Sequence, residues 1–238
     1  MKVSVAMATY NGEKYIEQQI DSILAQLGKE DELIISDDHS SDQTLAIIEG
    51  YLKEDQRVKL FVNEESGVTS NFENAIKRTQ NDIIFLSDQD DIWKPEKVKT
   101  VKEYYEKNPD IQMIMSDITV VDNQLNTTIE SFYEFRGSRA GVIKNIIKNS
   151  YIGCAMSFRK ELKPKILPIP RNVPMHDMWI GLVADMSKSA LLIPEKLIYY
   201  RRHNATVTTV ENTSSWKEKI LWRYQISMLL LKSRLKNK

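Results

Sequence analysis

The chain has 238 residues, 42% hydrophobic and 28% charged, enough for one full core plus an extension. Lys+Arg and Asp+Glu both number 33, which removes the electrostatic case for nucleic acid as a partner. A single cysteine, Cys154, in an apolar run, excludes a disulfide framework or a cysteine zinc site within one chain.

The first half alternates between two periodicities. Val3–Ala8 reads as a buried strand, and Glu13–Leu27 carries Tyr15, Ile16, Ile20, Ile23, Leu24 and Leu27 at helical spacing. A strand at Leu33–Ile35, a helix over Thr44–Leu52, a strand over Val58–Val62 and a short helix over Asn71–Lys77 follow. Ile83–Leu86 is the next strand, and Glu96–Tyr105 the next helix, with Pro95 placed for its first turn. Such alternation predicts a mostly parallel open sheet with right-handed crossovers.

After Pro109 the pattern loosens. Strands are expected over Ile111–Met115, Ile118–Val121 and Ile152–Phe158, and a helix over Ala140–Lys148. Pro164, Pro168, Pro170 and Pro174 mark a long loop. A helix over His176–Met186 and strands at Leu191–Ile193 and Leu197–Tyr200 complete an α+β elaboration. The expected division is therefore 1–213, split into 1–109 and 110–213, with 214–238 as a C-terminal helix.

That last segment is unusual in charge. It holds seven basic residues and one acidic, with Trp216, Ile220, Tyr224, Met228, Leu231 and Leu235 at helical spacing. A basic amphipathic helix suits peripheral contact with an anionic membrane, and equally suits packing on the domain or on a second subunit. No apolar run reaches ~18 residues and no signal-peptide pattern opens the chain, so the expected setting is cytoplasmic, peripheral at the inner membrane face.

In an open parallel sheet, ligands bind beyond the carboxyl ends of the strands. Here those ends read Thr9-Tyr10-Asn11-Gly12, then Ser36-Asp37-Asp38-His39-Ser40, then Ser87-Asp88-Gln89-Asp90-Asp91. None of the eight glycines forms G-x-G-x-x-G or G-x-x-x-x-G-K-[ST]. Phosphates would therefore need a different partner. A divalent cation held by carboxylates meets that need and relieves the repulsion among Asp88, Asp90 and Asp91. The competing readings are plain helix capping and an aspartyl phosphatase, whose D-x-D-x-[TV] motif is narrowly missed. An EF-hand is excluded, because the sixth position from Asp88 is Trp93.

The chain resembles glycosyltransferase family 2. The resemblance lies in VSVAMATYNGEKYIEQQIDSIL, ELIISDDHSSDQT, FLSDQDDIW, PMHDMWIGL (Pro174 to Leu182) and YYRRHNATVT (Tyr199 to Thr208). The DQDDIW and HDMW forms look most like the bacterial rhamnosyltransferase-type subgroup, which builds cell-surface polysaccharides. The resemblance implies the GT-A fold: an open, mostly parallel α/β nucleotide-binding sheet with an acceptor-side half. It implies a dTDP- or UDP-sugar donor, a glycan or lipid-linked glycan acceptor, and Mg2+ or Mn2+.

It also assigns roles. Thr9, Tyr10 and Asn11 stand where the family turn meets base and ribose. Asp38, with Asp37 beside it, stands where the family's acid meets the base, and Asn71 at a polar position near the nucleotide. Asp88-Gln89-Asp90 matches the DxD motif, with Asp88 near ribose and metal and Asp90 on the metal. His203 matches a metal or diphosphate contact; Arg201 and Arg202 beside it suit either a contact that steadies the phosphates or an exposed basic pair. Asp177 matches the catalytic base, and Trp179 is an aromatic suited to a sugar face. Departures are Ala8 for a frequent proline, His39 for a frequent glycine, and His176-Asp177 for the common Glu-Asp.

Transfer from a nucleotide sugar needs a neutralised diphosphate and a proton acceptor for the attacking hydroxyl. The expected reaction is a metal-dependent single displacement that inverts the anomeric centre. The competing classes are a metal-dependent nucleotidyl or phosphoryl transferase, and a catalytically silent glycan-binding protein.

Overall fold

The computed structural model describes residues 1–202, 223 and 225–230. Among them, nine strands form one sheet in the order β3-β2-β1-β4-β8-β6-β9-β5, with β7 paired to β6.

The alternating half folds as its periodicity requires. The strands β1 (Val3–Thr9), β2 (Glu32–Asp37), β3 (Val58–Val62) and β4 (Ile83–Asp88) are all parallel to one another. The helices α1 (Ile16–Leu24), α2 (Thr44–Glu54) and α3 (Val68–Arg78) connect them. β1 lies between β2 and β4, and Val3, Val5, Met7, Ile83 and Phe85 are fully buried. Strands this apolar belong to a sheet covered on both faces.

The second half extends the same sheet. The two-residue β5 (Ile92–Trp93), absent from the sequence reading, precedes α4 (Lys97–Lys107). The strands expected at Ile111–Met115 and Ile118–Val121 are one strand, β6 (Met113–Val121). The two expected near the end are also one, β9 (Ala190–Arg201), parallel to β6. Their register shifts between Ser116 and Asp117, opposite Ile193 and Lys196, where Pro194 lacks a ladder donor.

β8 (Met156–Arg159) runs antiparallel between β4 and β6 and is shorter than expected, because Gly153–Ala155 forms a 3-10 turn. β7 (Thr127–Ile129), α5 (Phe132–Arg136) and α6 (Val142–Ile147) lie between β6 and that turn. The proline-rich segment is not wholly loop: Lys160–Leu162 is a 3-10 turn and Lys163–Ile166 a short helix, α7, with Pro164 in its first turn.

α8 (His176–Met186) buries residues on every face, from His176 through Ala184, as a helix does inside a core. The tail expected as a helix from 214 to 238 lies mostly outside the described residues. Arg223 and residues 225–230 are helical, and Ile226 and Leu230 are buried in the common core. The face that packs on the domain is therefore not the expected stripe, whose one described member, Met228, is 39% exposed.

Candidate active site

Three strand ends build one rim. At the first, Thr9 and Asp37 are neighbours across β1 and β2, and both are buried. The Asp37 carboxylate accepts from Thr9 Oγ1 at 2.8 Å, from the Ser40 N–H at 2.8 Å and from Ser40 Oγ at 2.6 Å. Asp37 therefore shapes the turn and presents no face to a ligand, which corrects its placement as a base contact. Thr9 likewise spends its hydroxyl on Asp37.

Asp38, the next residue along, turns the other way and is partly exposed. Its two oxygens accept from Asn63 Nδ2 and the Gly67 N–H, both at 2.8 Å. Those bonds tie the end of β2 to the N-terminus of α3. Asn71 donates Nδ2 to the Thr9 carbonyl at 3.0 Å, while its Oδ1 is buried without a partner among the described residues. Tyr10 is 56% exposed, so its ring faces solvent at the rim. Asn11, with a left-handed φ of 46°, accepts on Oδ1 from the Ser41 N–H at 2.8 Å.

Gln89 joins the first turn to the acidic one. Its Oε1 accepts from the Tyr10 N–H at 2.9 Å, and its Nε2 donates to the Tyr10 carbonyl at 2.8 Å. A Cβ on Gly12 would sit 2.2 Å from Gln89 Oε1, so a larger residue there would displace the Gln89 amide.

The acidic turn divides into an open side and a closed one. Asp88 and Asp90 are partly exposed; Asp91 is buried. Burial first, then the charges of Asp90 and Asp177, push the Asp88 carboxyl up to about 7. Burial and the same crowding hold Asp91 well above its ordinary range. Asp88, Asp91 and Cys154 place one ligand atom each within 4.8 Å of one another. Asp91 Oδ1 accepts the Arg201 N–H at 3.1 Å, which holds Asp91 inward.

Arg201 is buried and clamps this turn. Its Nε donates to the Asp90 carbonyl at 3.0 Å, and its other nitrogens to Asn123 O at 3.2 Å and Gln18 Oε1 at 2.7 Å. It is a scaffold cation, and not the phosphate contact expected from its place in the sequence. His203 lies outside the described residues.

Lys97 is the residue that sequence reasoning missed. It is 1% exposed, donates Nζ to the Cys154 carbonyl at 3.0 Å and lies 4.0 Å over the Trp93 ring. Burial pulls its ammonium down to about 7, against the opposing pull of Cys154, Asp91 and Asp88. A signal existed: Lys97 shares the α4 stripe with Val98, Val101 and Tyr105, all buried.

Asp177 sits in the first turn of α8, across the Gly153–Cys154 seam from the acidic turn. Its Oδ1 accepts a short hydrogen bond from the Met178 N–H, and the Gly153 N–H also bonds the carboxylate. A Cβ on Gly153 would lie 2.7 Å from His176 Nε2 and 3.6 Å from Asp177 Cβ. Burial raises the Asp177 carboxyl to about 7. His176 stacks on Phe72 with centroids 4.0 Å apart, and burial drives its imidazole down to about 3. Trp179 is 3% exposed and donates Nε1 to the Ile166 carbonyl at 2.9 Å. Its ring belongs to the core, which corrects its placement on a sugar face.

The family model described as "Glycosyl transferase family 2" matches residues 4–166. The chain belongs to this family. A putative teichuronic acid biosynthesis glycosyltransferase, TuaG, from Bacillus subtilis is 26% identical over 90% of this chain and 83% of its own length. S. aureus TarS (residues 1–349), solved with UDP, superposes with a TM-score of 0.71 at 20% identity. That match covers 98% of this chain and 65% of TarS, so the chain spans just under two thirds of that structure. Glucosyl-3-phosphoglycerate synthase from Mycobacterium tuberculosis, solved with Mn2+, UDP and glucosyl-3-phosphoglycerate, gives 0.61 at 19% identity, covering 98% and 79%. These likenesses carry the fold: an α/β GT-A sheet flanked by helices.

Proposed function

We propose that the chain transfers a sugar from a nucleoside-diphosphate sugar to a hydroxyl of a growing cell-surface glycan, by a metal-dependent single displacement. The observation that carries this is the pairing of a carboxylate cluster at the end of β4 with a separate carboxylate, Asp177, across the Gly153–Cys154 seam. Two acidic centres with different surroundings divide charge neutralisation from proton abstraction.

The residues fit a hard divalent ion. Asp88 and Asp90 stay partly open, the charge of Asp90 helps to raise the Asp88 carboxyl, and a dication offsets that repulsion. Asp90 and Asp88 would hold Mg2+ or Mn2+, with His203 as a third ligand. Bound there, the ion supplies the positive charge that a departing diphosphate needs.

The chain's own residues do the rest. The Thr9–Asn11 turn, held by Gln89, presents Tyr10 to the base and ribose, and Asp38 orders the wall beside it through Gly67. Asp177 accepts the proton of the acceptor hydroxyl. The hydroxyl oxygen bonds the anomeric carbon as the bond to the diphosphate oxygen breaks. Attack opposite the leaving group inverts that centre.

The finer readings rest on narrower support. A dTDP- or UDP-linked donor, with rhamnose as its sugar, rests on the DQDDIW and HDMW forms; TarS was solved with UDP. A polysaccharide acceptor follows the likeness to TuaG, a glycosyltransferase assigned to teichuronic acid biosynthesis. A lipid-linked acceptor fits the basic tail, and no described helix is long and apolar enough to cross a membrane.

The test is a panel of nucleotide sugars with Mn2+, read as slow release of nucleoside diphosphate. One donor class hydrolysed, with loss of the signal in Asp90→Ala, supports the reading. Transfer of a nucleotidyl or phosphoryl group, or no turnover of any donor, overturns it.

A further inference from the structure

The segment between β7 and the Gly153–Ala155 turn packs Phe132, Tyr133, Val142 and Ile146 against the core. Buried polar bonds fix it there. Ser131 Oγ and the Tyr133 N–H both donate to the Asp117 carboxylate, at 2.5 and 3.0 Å. Tyr133 Oη donates to the Met115 carbonyl at 2.6 Å. Asn145 is fully buried; its Nδ2 donates to the Arg139 carbonyl at 2.9 Å and its Oδ1 accepts the Ser150 N–H at 3.0 Å. The Gly141 N–H donates to Asp185 at 2.8 Å.

The outer face carries three further large apolar side chains. Phe135 is 61% exposed, Ile143 76% and Ile147 60%. With the inner face fixed by buried polar bonds, these three cannot turn inward. A cluster of this kind marks a contact surface. Its charge selects the contact. From 132 to 149 there are four basic residues, Arg136, Arg139, Lys144 and Lys148, and one acidic, Glu134.

The tail adds to this. Arg223 donates to the carbonyls of Ile146 at 3.2 Å and Ile147 at 2.7 Å, at the end of α6. Ile226 and Leu230, on the same tail, are spent on the core. These contacts anchor that face of the tail to the domain, while Met228, on its other side, stays 39% exposed.

The geometry points to the outer face of α5 and α6, with Phe135, Ile143 and Ile147 among Arg139, Lys144 and Lys148, as a docking surface for an anionic lipid bilayer. Isoleucine and phenylalanine enter the headgroup boundary, while the cations meet lipid phosphates.

The full chain is tested by flotation with phosphatidylcholine vesicles, with and without phosphatidylglycerol. The expected result is binding to the anionic vesicles that weakens with salt. In Ile143→Ser/Ile147→Ser, binding should fall by at least ~10-fold, from the two apolar side chains no longer buried. Arg139→Glu/Lys148→Glu should remove the preference for phosphatidylglycerol. Circular dichroism and nucleoside diphosphate affinity should match the wild type in both variants, since all four residues are exposed and outside the rim. Equal flotation of wild type and both variants overturns the proposal. So does a wild-type dimer in sedimentation that Ile143→Ser/Ile147→Ser dissociates, which assigns the face to a second copy of the chain.

Discussion

The side chain of Gln89 and the backbone of Tyr10 exchange two hydrogen bonds, at 2.9 and 2.8 Å, and so lock the first strand-end turn to the acidic one. A backbone group near a rim has water as its alternative partner, so each bond is worth ~1 kcal/mol. Gln89→Ala should therefore lower stability by ~1–2 kcal/mol, and weaken nucleoside diphosphate binding by ~5–30-fold because the loosened turn must be re-ordered on binding. Gly12→Ala should do the same by a different route, because its Cβ would meet Gln89 Oε1 at 2.2 Å. Calorimetric titration of both variants checks this; wild-type affinity in both would free the turn from Gln89.

Asp90 and Asp91 are adjacent but should fail differently. Asp90 is partly exposed beside Asp88, whereas Asp91 is buried and accepts the Arg201 N–H. Asp90→Ala should abolish the Mn2+-dependent part of nucleotide affinity and leave stability near that of the wild type. Asp91→Ala should cost ~1–3 kcal/mol of stability, because it strips a buried donor of its acceptor. Chemical denaturation with and without Mn2+ separates the two. A large stability loss in Asp90→Ala would make it the structural member of the pair.

Gly181 sets two effects against each other. Alanine is favoured in a helix by ~1 kcal/mol. A Cβ there would lie 2.3 Å from Tyr151 Cδ2, and the Tyr151 hydroxyl is bonded to Asp185 at 2.5 Å. Overpacking of this kind costs ~1–3 kcal/mol, and the ring cannot retreat without breaking that bond. Gly181→Ala should be destabilised, as read by urea denaturation. A stabilised variant would mean that Tyr151 moves freely.

Much of this was legible in the sequence, and what was not has physical reasons. The first four strands and their helices follow from period alone, because each strand is a short, mainly apolar run between polar turns. Neighbouring acids were harder. Asp37 and Asp38 look equivalent as letters, but a strand turns them to opposite faces, and only the register of Thr9 against Asp37 shows which one is buried. Trp179 misled because α8 is apolar all round and offers no outward face from which to read its direction. Arg201 looked like a phosphate ligand because its partners, Asp90, Asn123 and Gln18, are distant in sequence. Lys97 was legible, sitting among apolar residues on one helical stripe.

Asp177 supports the most specific prediction. Burial raises its carboxyl to about 7, so near neutral pH it divides between acid and base. A general base acts unprotonated. The wild-type kcat/KM should therefore climb as pH rises through about 7 and level off above it. Asp177→Asn should transfer ~10²–10⁴-fold more slowly and lose that rising limb. Stability should move the other way. A carboxyl whose folded pKa lies above its unfolded value stabilises the fold while protonated, and that contribution is lost as pH rises through the folded value. At pH 8 the wild type bears a charge in this partly buried place and Asn does not, so Asp177→Asn should be at least as stable there. A variant that is slow, well folded at pH 8 and normal in nucleoside diphosphate affinity identifies Asp177 as the base. A slow variant that is also destabilised at pH 8 would make Asp177 a support for the first turn of α8, through its bonds to the Met178 and Gly153 N–H groups, and place the base elsewhere.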